Sequence, residues 1–168
     1  TMPPRAHVTL IAAIDKARGI GLRGELLYRI PADLARFRER TMGAILLMGS
    51  RTYASLPGPL PGRHIVVLTR RTDAVAGVET VSSIHNAVWL ARTKDRPLYV
   101  AGGEQVYQQM MPHADRIELT EIHDLRPADT LFPPIPDSFR ETRRQQHPAT
   151  AGHPAFDFVT FSRETRAD

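Results

Sequence analysis

The amino-acid sequence predicts an α/β domain in which helices flank a central, mainly parallel sheet and an antiparallel hairpin closes one edge. As far as residue 122, short apolar runs rich in β-branched residues alternate with segments of helical periodicity. That alternation is typical of parallel sheets, because two parallel neighbours are joined by a crossover that is usually a helix. The last two runs alternate polar with apolar residues and have no helix between them, a pattern that indicates antiparallel pairing.

Each element follows from a local signal in the chain. Gly, Pro or charged residues bound five apolar runs, which we predict as strands at 8–14, 44–48, 65–68, 98–101 and 117–122. Apolar residues recur at helical spacing in four segments, which we predict as helices at 31–40, 52–56, 83–92 and 104–111. The hairpin strands are predicted at 139–144 and 156–163, around a connection at 147–154 that carries Pro and Gly.

The bulk composition indicates one ordered domain. The 168 residues are 42% hydrophobic and 24% charged, which is ordinary globular usage, and no repeat or linker divides them. We therefore expect a single domain over 1–168, with Met2 as the natural start and Thr1 as an added residue. The N-terminus lacks a secretory pattern, and no apolar run approaches the ~20 residues of a spanning helix, so we expect a cytoplasmic location.

The residue types narrow the chemistry. The chain has no cysteine, which removes disulfides, thiolate catalysis and zinc sites of the CxxC type. The seven histidines lack HxxxH or HExxH spacing, and no serine lies in a GxSxG context, so we expect neither a metal site nor a serine nucleophile. The net charge of +4 comes with scattered arginines, which suit anionic small ligands as well as nucleic acid.

The segment Ile30-Pro31-Ala32-Asp33 predicts a helix start with a carboxylate in the first turn. In one interpretation Asp33 only complements the positive end of the helix dipole. In the other, Asp33 borders the apolar stripe of Phe37, four residues on, while Arg36 and Arg40 occupy a separate basic face. A half-buried carboxylate without a basic neighbour needs a hydrogen-bond donor, and a ligand would serve.

Three predicted strand ends carry residues that suit a phosphate. Segments 100–107 and 48–53 each run from a strand through glycine into a helix, and Leu68-Thr69-Arg70-Arg71 ends a third strand. Glycine lets a backbone approach a phosphate closely, and a helix N-terminus offers free N–H groups. Ordinary turns and solvated arginines are the alternatives, but α/β sheets bind ligands at the carboxyl ends of their strands.

Taken together and in this order, these segments resemble the dihydrofolate reductase family along nearly the whole chain. The motifs that carry the resemblance are Gly19-Ile20-Gly21, Pro31-Ala32-Asp33-Leu34 with Phe37, Met48-Gly49 with Thr52, Leu60-Pro61-Gly62-Arg63, Gly102-Gly103 with Tyr107, Leu119-Thr120 and Asp129-Thr130. The resemblance implies the family's three-layer fold, with a mixed, mainly parallel sheet of about eight strands. It also implies a bacterial, monomeric enzyme that uses NADPH to reduce dihydrofolate to tetrahydrofolate for one-carbon metabolism. Its other ligands would be antifolates such as trimethoprim and methotrexate, with no nucleic-acid or membrane partner.

The resemblance also implies the substrate residues. Asp33 looks like the family's single pterin-binding carboxylate, which holds the 2-amino group and N3, and Thr120 would help through a shared water. Arg63 looks like the arginine that pairs with the α-carboxylate of the glutamate tail. The implied pocket is lined by Ile11, Ala13, Leu34, Phe37, Leu60, Ala101 and Tyr107.

Cofactor contacts are implied in the same way. Gly49, Arg51 and Thr52 would meet the phosphates of NADPH, and Gly102-Gly103, joined by a cis peptide, would support the pyrophosphate. Thr69 and Arg70 look like the contacts of the 2′-phosphate. The other implied cofactor residues are Ala13, Ile20, Gly21, Ser50, Leu68, Arg71, Glu104, Gln105, Val106 and Thr130.

The implied mechanism leaves the hydride to NADPH, which delivers it to C6 of the pterin while N5 gains a proton. Asp33 would stabilise the protonated pterin, and the lid at 19–28 would admit the water that brings the proton. Two positions depart from the family's pattern. Ser50 stands where many relatives carry Arg, for which Arg51 or Arg71 is expected to compensate. Leu27-Tyr28 replaces the usual Pro-Trp of the lid, and Tyr28 is expected to keep a hydrogen-bond donor beside the pterin, as a catalytic residue.

Two alternatives stay open at this point. A related NADPH-dependent pyrimidine reductase of riboflavin synthesis shares the fold and cofactor, but not the pattern of Asp33 with Arg63. A noncatalytic basic protein that binds nucleotides or RNA would show salt-steep polyanion binding and no reduction of dihydrofolate.

Overall fold

The computed structural model describes residues 7–70 and 77–164. Over these residues the strands are β1 Val8–Ile14, β2 Gly19–Leu22, β3 Glu25–Leu26, β4 Ile45–Gly49, β5 His64–Leu68, β6 Glu79–Val81, β7 Leu98–Val100, β8 Arg116–Ile122, β9 Thr130–Leu131, β10 Phe139–His147 and β11 Phe156–Arg163. The helices are α1 Pro31–Thr41, α2 Ser50–Ala54, α3 Ile84–Lys94 and α4 Glu104–Met110, which a 3₁₀ turn at Met111–His113 follows. Each strand and helix predicted from the sequence therefore has a counterpart, with small shifts at its ends.

The central sheet has eight strands in the order β10-β11-β8-β1-β7-β4-β5-β6. From β8 to β6 all neighbours pair in parallel, whereas β11 runs antiparallel to both β8 and β10. The prediction of a mainly parallel sheet closed by an antiparallel hairpin is confirmed. The carboxyl ends of β1, β7, β4 and β5 consequently lie along one edge of the sheet, where the predicted phosphate-binding turns follow.

Helices cover both faces of this sheet, and the alternation of side chains along β4 shows why. Leu47 packs into one buried cluster with Ala87 of α3, whereas Leu46 and Met48 point to the other face and pack with Phe37 of α1. Leu46 and Leu47 are both fully buried, as expected for a strand covered on two sides. The chain thus forms the three layers that the resemblance implies.

Two predicted boundaries were wrong. Helix α2 begins directly after Gly49 and not at residue 52, because the chain turns from strand to helix without an intervening loop. Strand β10 continues to His147, beyond the predicted end at 144, because Gln145 and His147 pair with Phe158 and Phe156 of β11. Backbone pairing, and not apolar alternation, defines that part of the strand.

The predicted lid at 19–28 contains a small sheet that the sequence pattern did not reveal. Strands β2 and β3 form a hairpin, and β9 pairs with β2 so that Gly21 lies opposite Thr130. Strands β2, β3 and β6 are short and carry Gly or charged residues, and β9 has only two residues, so all four lack the apolar alternation by which a strand is recognised. Among the helices of the described residues, none is both long and apolar enough to cross a membrane.

Candidate active site

The site is built around Asp33, in the first turn of α1. Pro31 occupies the start of this helix, where its missing N–H costs nothing, and no side chain caps the helix end. The Thr120 hydroxyl of β8 donates a hydrogen bond of 2.5 Å to Asp33 Oδ1. Thr120 also lies opposite Ala13 of β1, so the carboxylate faces the adjoining ends of two central strands.

The surroundings of Asp33 favour a ligand in contact with it. Burial raises the pKa of the Asp33 carboxyl, and the hydrogen bond from Thr120 and the charge of Arg36 oppose that rise. Beside it Leu34 leaves 42% of its surface exposed, which is unusual for a leucine that adjoins a buried site. A half-buried anion next to an open apolar wall is suited to a flat, partly cationic ligand.

The expected position of Arg36 was wrong. The sequence pattern placed it on a basic face with Arg40, separate from the apolar stripe, but its side chain is only 10% exposed and forms an ion pair with Glu118 of β8. The same guanidinium donates through Nη1 to the carbonyl oxygen of Leu119 at 3.1 Å and stacks on the Phe158 ring at 4.3 Å. A long arginine side chain reaches the sheet because its apolar stem packs along the helix.

Tyr107 fixes α4 to β1. Its hydroxyl donates to the carbonyl oxygen of Ile11 at 2.7 Å, and its ring lies 4.9 Å from that of Phe132. Burial raises the pKa of Tyr107, and the charge of Asp33 raises it further, so the hydroxyl remains a donor. The predicted pocket residues Ile11 and Tyr107 are thereby held together, with Tyr107 acting as part of the wall.

The two glycine turns lie against each other. The N–H of Gly49 donates to the carbonyl oxygen of Gly102 at 2.9 Å, and the Gly102–Gly103 peptide is cis, as the resemblance implies. A Cβ at Gly49 would lie 3.3 Å from Val106 Cγ2, and Gly102 has a φ of 113°, which side chains rarely adopt. Gly102 therefore needs glycine for its backbone conformation, whereas a side chain at position 49 would require Val106 to shift slightly.

These turns present the groups that a pyrophosphate requires. Neither α2 nor α4 receives a side-chain cap at its first turn, and a Cβ at Gly103 would meet Thr52 Oγ1 at 3.5 Å. Backbone N–H groups and a hydroxyl thus converge on one place at the edge of the sheet. The donor set fits a phosphorylated cofactor.

The end of β5 supplies the third group of predicted cofactor residues. Thr69 donates its N–H to the carbonyl oxygen of Val81 at 3.0 Å, and Arg70 is exposed next to it. Arg71 lies outside the described residues. On α2 Arg51 is exposed and Ser50 is partly buried, which leaves the guanidinium of Arg51 accessible to an anion.

The lid is tied to the loop that follows β8. Tyr28 is 7% exposed, and its hydroxyl donates to Asp124 Oδ2 at 3.1 Å. Arg126 lies over the Tyr28 ring at 4.1 Å and donates through Nη1 to the carbonyl oxygen of Leu27 at 2.5 Å. Burial, and then the hydrogen bond to Asp124, raises the pKa of Tyr28 to about 12. The hydroxyl expected beside the pterin is therefore engaged with Asp124.

Asp15 organises the start of the same lid. Its Oδ1 accepts hydrogen bonds from the N–H groups of Ala17 at 2.9 Å and Gly19 at 2.8 Å, and its Oδ2 accepts from the N–H of Arg126 at 3.2 Å. The carboxylate is 4% exposed. A buried anion satisfied by three backbone donors holds the turn that leads into β2.

Arg63 has the most unusual environment of the predicted substrate residues. Its Nε and Nη1 are buried and have no hydrogen-bond partner, and burial, followed by the charge of Arg38, lowers the pKa of Arg63. A cleft of about 690 Å³ borders Leu60 and Arg63 and does not include Asp33. A guanidinium whose buried N–H groups lack acceptors is suited to an anionic ligand group, because a buried donor without a hydrogen bond costs free energy.

The remaining predicted residues differ in how far they are buried. Ala13, Ile20, Phe37, Leu60, Leu68, Ala101, Glu104 and Thr130 are partly buried, Val106 is buried and Gln105 is exposed. Glu104 accepts a hydrogen bond from the N–H of Leu131 at 2.6 Å, which joins α4 to β9. Within residues 7–70 and 77–164, no group of three or more His, Asp or Glu side chains is placed to hold a metal ion.

Comparison with known proteins agrees with this arrangement. Residues 7–163 match the family model described as dihydrofolate reductase. The dihydrofolate reductase type 3 of Salmonella typhimurium is 37% identical over 160 residues, which cover 94% of this chain and 98% of that relative. The dihydrofolate reductase of Mycobacterium tuberculosis (strain CDC 1551 / Oshkosh) is 41% identical over 140 residues, or 79% of this chain and 84% of that relative.

The chain belongs to the dihydrofolate reductase family. Among solved structures, a dihydrofolate reductase from Enterococcus faecalis complexed with NADP(H) and RAB-propyl matches with a TM-score of 0.90 at 27% identity, covering 98% of this chain and 100% of that one. The predicted family, fold, enzyme class and NADPH cofactor are confirmed. Neither the pyrimidine reductase nor the noncatalytic basic protein is favoured.

Sequence reasoning about this dihydrofolate reductase missed several residues that organise the site. Glu118 carried a signal, because a carboxylate inside an apolar strand and two residues from Thr120 must share its face and needs a partner. Asp124 and Arg126 carried no such sequence signal, since nothing in the local sequence indicates that the loop after β8 will contact Tyr28.

Proposed function

We propose that this chain reduces 7,8-dihydrofolate to tetrahydrofolate with NADPH, and that Asp33 is the carboxylate that holds and stabilises the pterin. The observation that carries the proposal is the half-buried Asp33 carboxylate, oriented by Thr120 at the edge of the sheet where α/β proteins bind ligands. Besides Thr120, the carboxylate can accept from a second donor, which a ligand would supply. A pterin offers such a donor through its 2-amino group and N3.

The chemistry follows from the charge of this carboxylate. NADPH, when bound, supplies the hydride that is transferred to C6. Ionised Asp33 favours the protonated pterin, because an anion held in a site that excludes water stabilises a nearby cation far more than it would in solution. Thr120 keeps the carboxylate in one orientation through its hydrogen bond. Tyr28 contributes through the lid, whose packing controls the entry of the water that brings the proton to N5.

The substrate pocket is proposed to extend from Asp33 towards Arg63. Leu34 and Phe37 of α1 would form one apolar wall, and Arg63 would pair with the α-carboxylate of the glutamate tail through its unpartnered Nε and Nη1. The other proposed lining residues are Ile11, Ala13, Leu60, Ala101 and Tyr107. Antifolates with a cationic ring would occupy the same pocket through the charge of Asp33.

The proposed cofactor site runs along the glycine turns to the end of β5. The backbones of Gly49, Gly102 and Gly103 would accommodate the pyrophosphate, supported by the Thr52 hydroxyl. Thr69 and Arg70 would bind the 2′-phosphate, with Arg51 or Arg71 compensating for Ser50. The other proposed contacts are Ala13, Ile20, Gly21, Leu68, Glu104, Gln105, Val106 and Thr130.

We further propose that the enzyme acts as a monomer in the cytoplasm and has no nucleic-acid partner. The resemblance to the family is what supports a monomer. Size-exclusion chromatography with light scattering would test the monomer, and a dimer that persists on dilution would contradict it.

The test of the function is a mixture of purified chain, NADPH and dihydrofolate, followed by the loss of NADPH absorbance in the near ultraviolet. The expected result is a loss that requires both compounds and stops on addition of methotrexate. An unchanged absorbance with folded protein would overturn the proposal, and steep salt-dependent binding of a polyanion would then favour a nucleic-acid role.

A further inference from the structure

Two parallel cross-links join α1 to β8 beneath the proposed pterin site. One is the hydrogen bond from Thr120 to Asp33. The other is the ion pair of Arg36 with Glu118. Arg36 follows Asp33 by three residues on the helix, and Glu118 precedes Thr120 by two residues on the strand. Both spacings place the two members of each pair on one face, so the cross-links lie side by side.

The second cross-link is buried and held from several directions. The side chains of Arg36 and Glu118 are 10% and 3% exposed. On the neighbouring strand β11, Phe158 lies opposite Thr120 and Thr160 lies opposite Glu118. Phe158 supports the guanidinium, and Thr160 Oγ1 donates to Glu118 Oε1 at 3.3 Å. The pair therefore has little freedom to move independently of the sheet.

We propose that Arg36 and Glu118 are positioning residues for the reaction, which hold α1 on β8 so that Asp33 and Thr120 keep their relative placement. This inference rests on the proposed role of Asp33. The first N–H groups of a helix have no acceptor within the helix, and α1 has no side-chain cap to satisfy them. The Arg36 cross-link, one turn further along, supplies the restraint.

Stability alone is a weak reason for a buried ion pair at this place. Removing two charges from water is costly, and well-packed apolar replacements of such pairs often leave stability unchanged or raise it. The pair also brings a cation close to Asp33, and it brings the compensating anion with it. The pair carries no net charge, but its cation is the member that acts on the Asp33 carboxyl.

The charged and titratable groups that face this site come from five elements. Arg36 and Arg40 lie on α1, Glu118 on β8, Tyr99 on β7, Tyr107 on α4 and Arg143 on β10. Of these, Arg36 favours the ionised form of Asp33, whereas burial opposes it. Removing Arg36 is therefore expected to raise the pKa of Asp33, and the ionised carboxylate will be lost at a higher pH as the solution is acidified.

The experiment compares three variants with the parent enzyme. Arg36→Met alone leaves Glu118 buried and unpaired and is expected to fold poorly, so the informative variant is Arg36→Met/Glu118→Leu, which buries no charge. Arg36→Lys retains the cation but loses the planar fork and the stacking on Phe158. Arg144→Met is the matched control, because Arg144 pairs with the buried Asp157 at 2.6 Å on β10 and β11.

Two measurements separate positioning from structure. In single-turnover hydride transfer with NADPH bound beforehand, the double variant should be slower by about tenfold, the worth of one hydrogen bond, with unchanged affinity for NADPH. Trimethoprim binding, followed against pH, should be lost at a higher pH in the double variant than in the parent, because the charge of Arg36 no longer opposes the effect of burial on Asp33. Arg36→Lys should restore the pH dependence but not the full rate. Arg144→Met should match the parent in both the rate of hydride transfer and the pH dependence of trimethoprim binding.

A folded double variant with the parent's rate and the parent's pH dependence would overturn the inference and leave the pair a purely structural feature. Asp33→Asn is measured alongside. If that variant also transferred hydride at the parent's rate, the proposed role of Asp33 would fail, and the two failures are thereby distinguished.

Discussion

Thr120 of β8 donates its hydroxyl hydrogen to Asp33 of α1, across 87 positions of sequence, and so connects the first turn of the helix directly with the edge of the central sheet. The bond uses one oxygen of the carboxylate, and under the proposed function the other would accept a hydrogen bond from the pterin. Its geometry explains how one half-buried anion is held in a single orientation beside an apolar wall.

Asp33→Asn should keep the fold and abolish most of the activity. The amide can still accept from Thr120, but it cannot stabilise a cationic pterin. Loss of a preorganised charge of this kind typically costs about 100-fold or more in rate. Single-turnover hydride transfer at neutral pH measures the effect, and near-parental turnover in a folded variant would refute the assigned role.

The same substitution should stabilise the ligand-free protein at neutral pH. Burial raises the pKa of Asp33 above its unfolded value, so the folded state holds the proton more tightly. The carboxylate therefore destabilises the fold above that pKa, and the penalty disappears as the pH falls below about 4, where the side chain is neutral in both states. Urea unfolding of Asp33→Asn should show a higher free energy of unfolding than the parent at pH 7, and this difference should shrink on acidification. Asp137→Asn, at an exposed position, should show no such difference.

Arg63→Met should weaken the binding of dihydrofolate and leave the hydride step nearly intact. Removing a charged hydrogen bond to the glutamate tail should cost ~1.5 to 3 kcal/mol, seen as a raised KM at little-changed kcat. A pterin without the glutamate tail should bind parent and variant equally. Arg38→Met, which removes an exposed neighbour, is the control. Equal losses for the two pterins would contradict the assignment.

Arg70→Ala should discriminate between the two nicotinamide cofactors. NADPH affinity should fall by ~1.5 to 3 kcal/mol, while NADH, which lacks the 2′-phosphate, should be little affected. Fluorescence titration of the parent, Arg70→Ala and the distant Arg140→Ala gives the comparison. The parent should also prefer NADPH, and equal catalytic efficiency with both cofactors would reject this site for the 2′-phosphate.

Tyr28→Phe should slow hydride transfer by ~0.5 to 1.5 kcal/mol, or up to roughly tenfold, because the lid loses its hydrogen bond to Asp124. Tyr28→Trp should remain active, since an indole also offers an apolar ring with one donor. Tyr99→Phe, on β7, serves as the control. If Tyr28→Phe matched the parent in single-turnover rate, the role of Tyr28 would be limited to packing within the lid.

Local patterns were sufficient for the elements and for much of the proposed site. The apolar run at Val8–Ile14 and the Pro31 start of α1 are signals between near neighbours, and the strand order then brings the glycine turns to one edge. The family resemblance added roles for residues such as Arg63 that no periodicity distinguishes. Short strands such as β9 were not predicted, because two residues are too few to show an alternation of polar and apolar side chains.

The α/β architecture and the place of Asp33 in the first turn of α1 could be predicted from the sequence alone. The inward turn of Arg36 to Glu118 and the hydrogen bond from Tyr28 to Asp124 could not, since these partners are 82 and 96 positions apart. A helical pattern specifies which face a side chain leaves from, but not how far a long or polar side chain reaches. That reach depends on which buried charge or carbonyl the rest of the fold leaves unpaired.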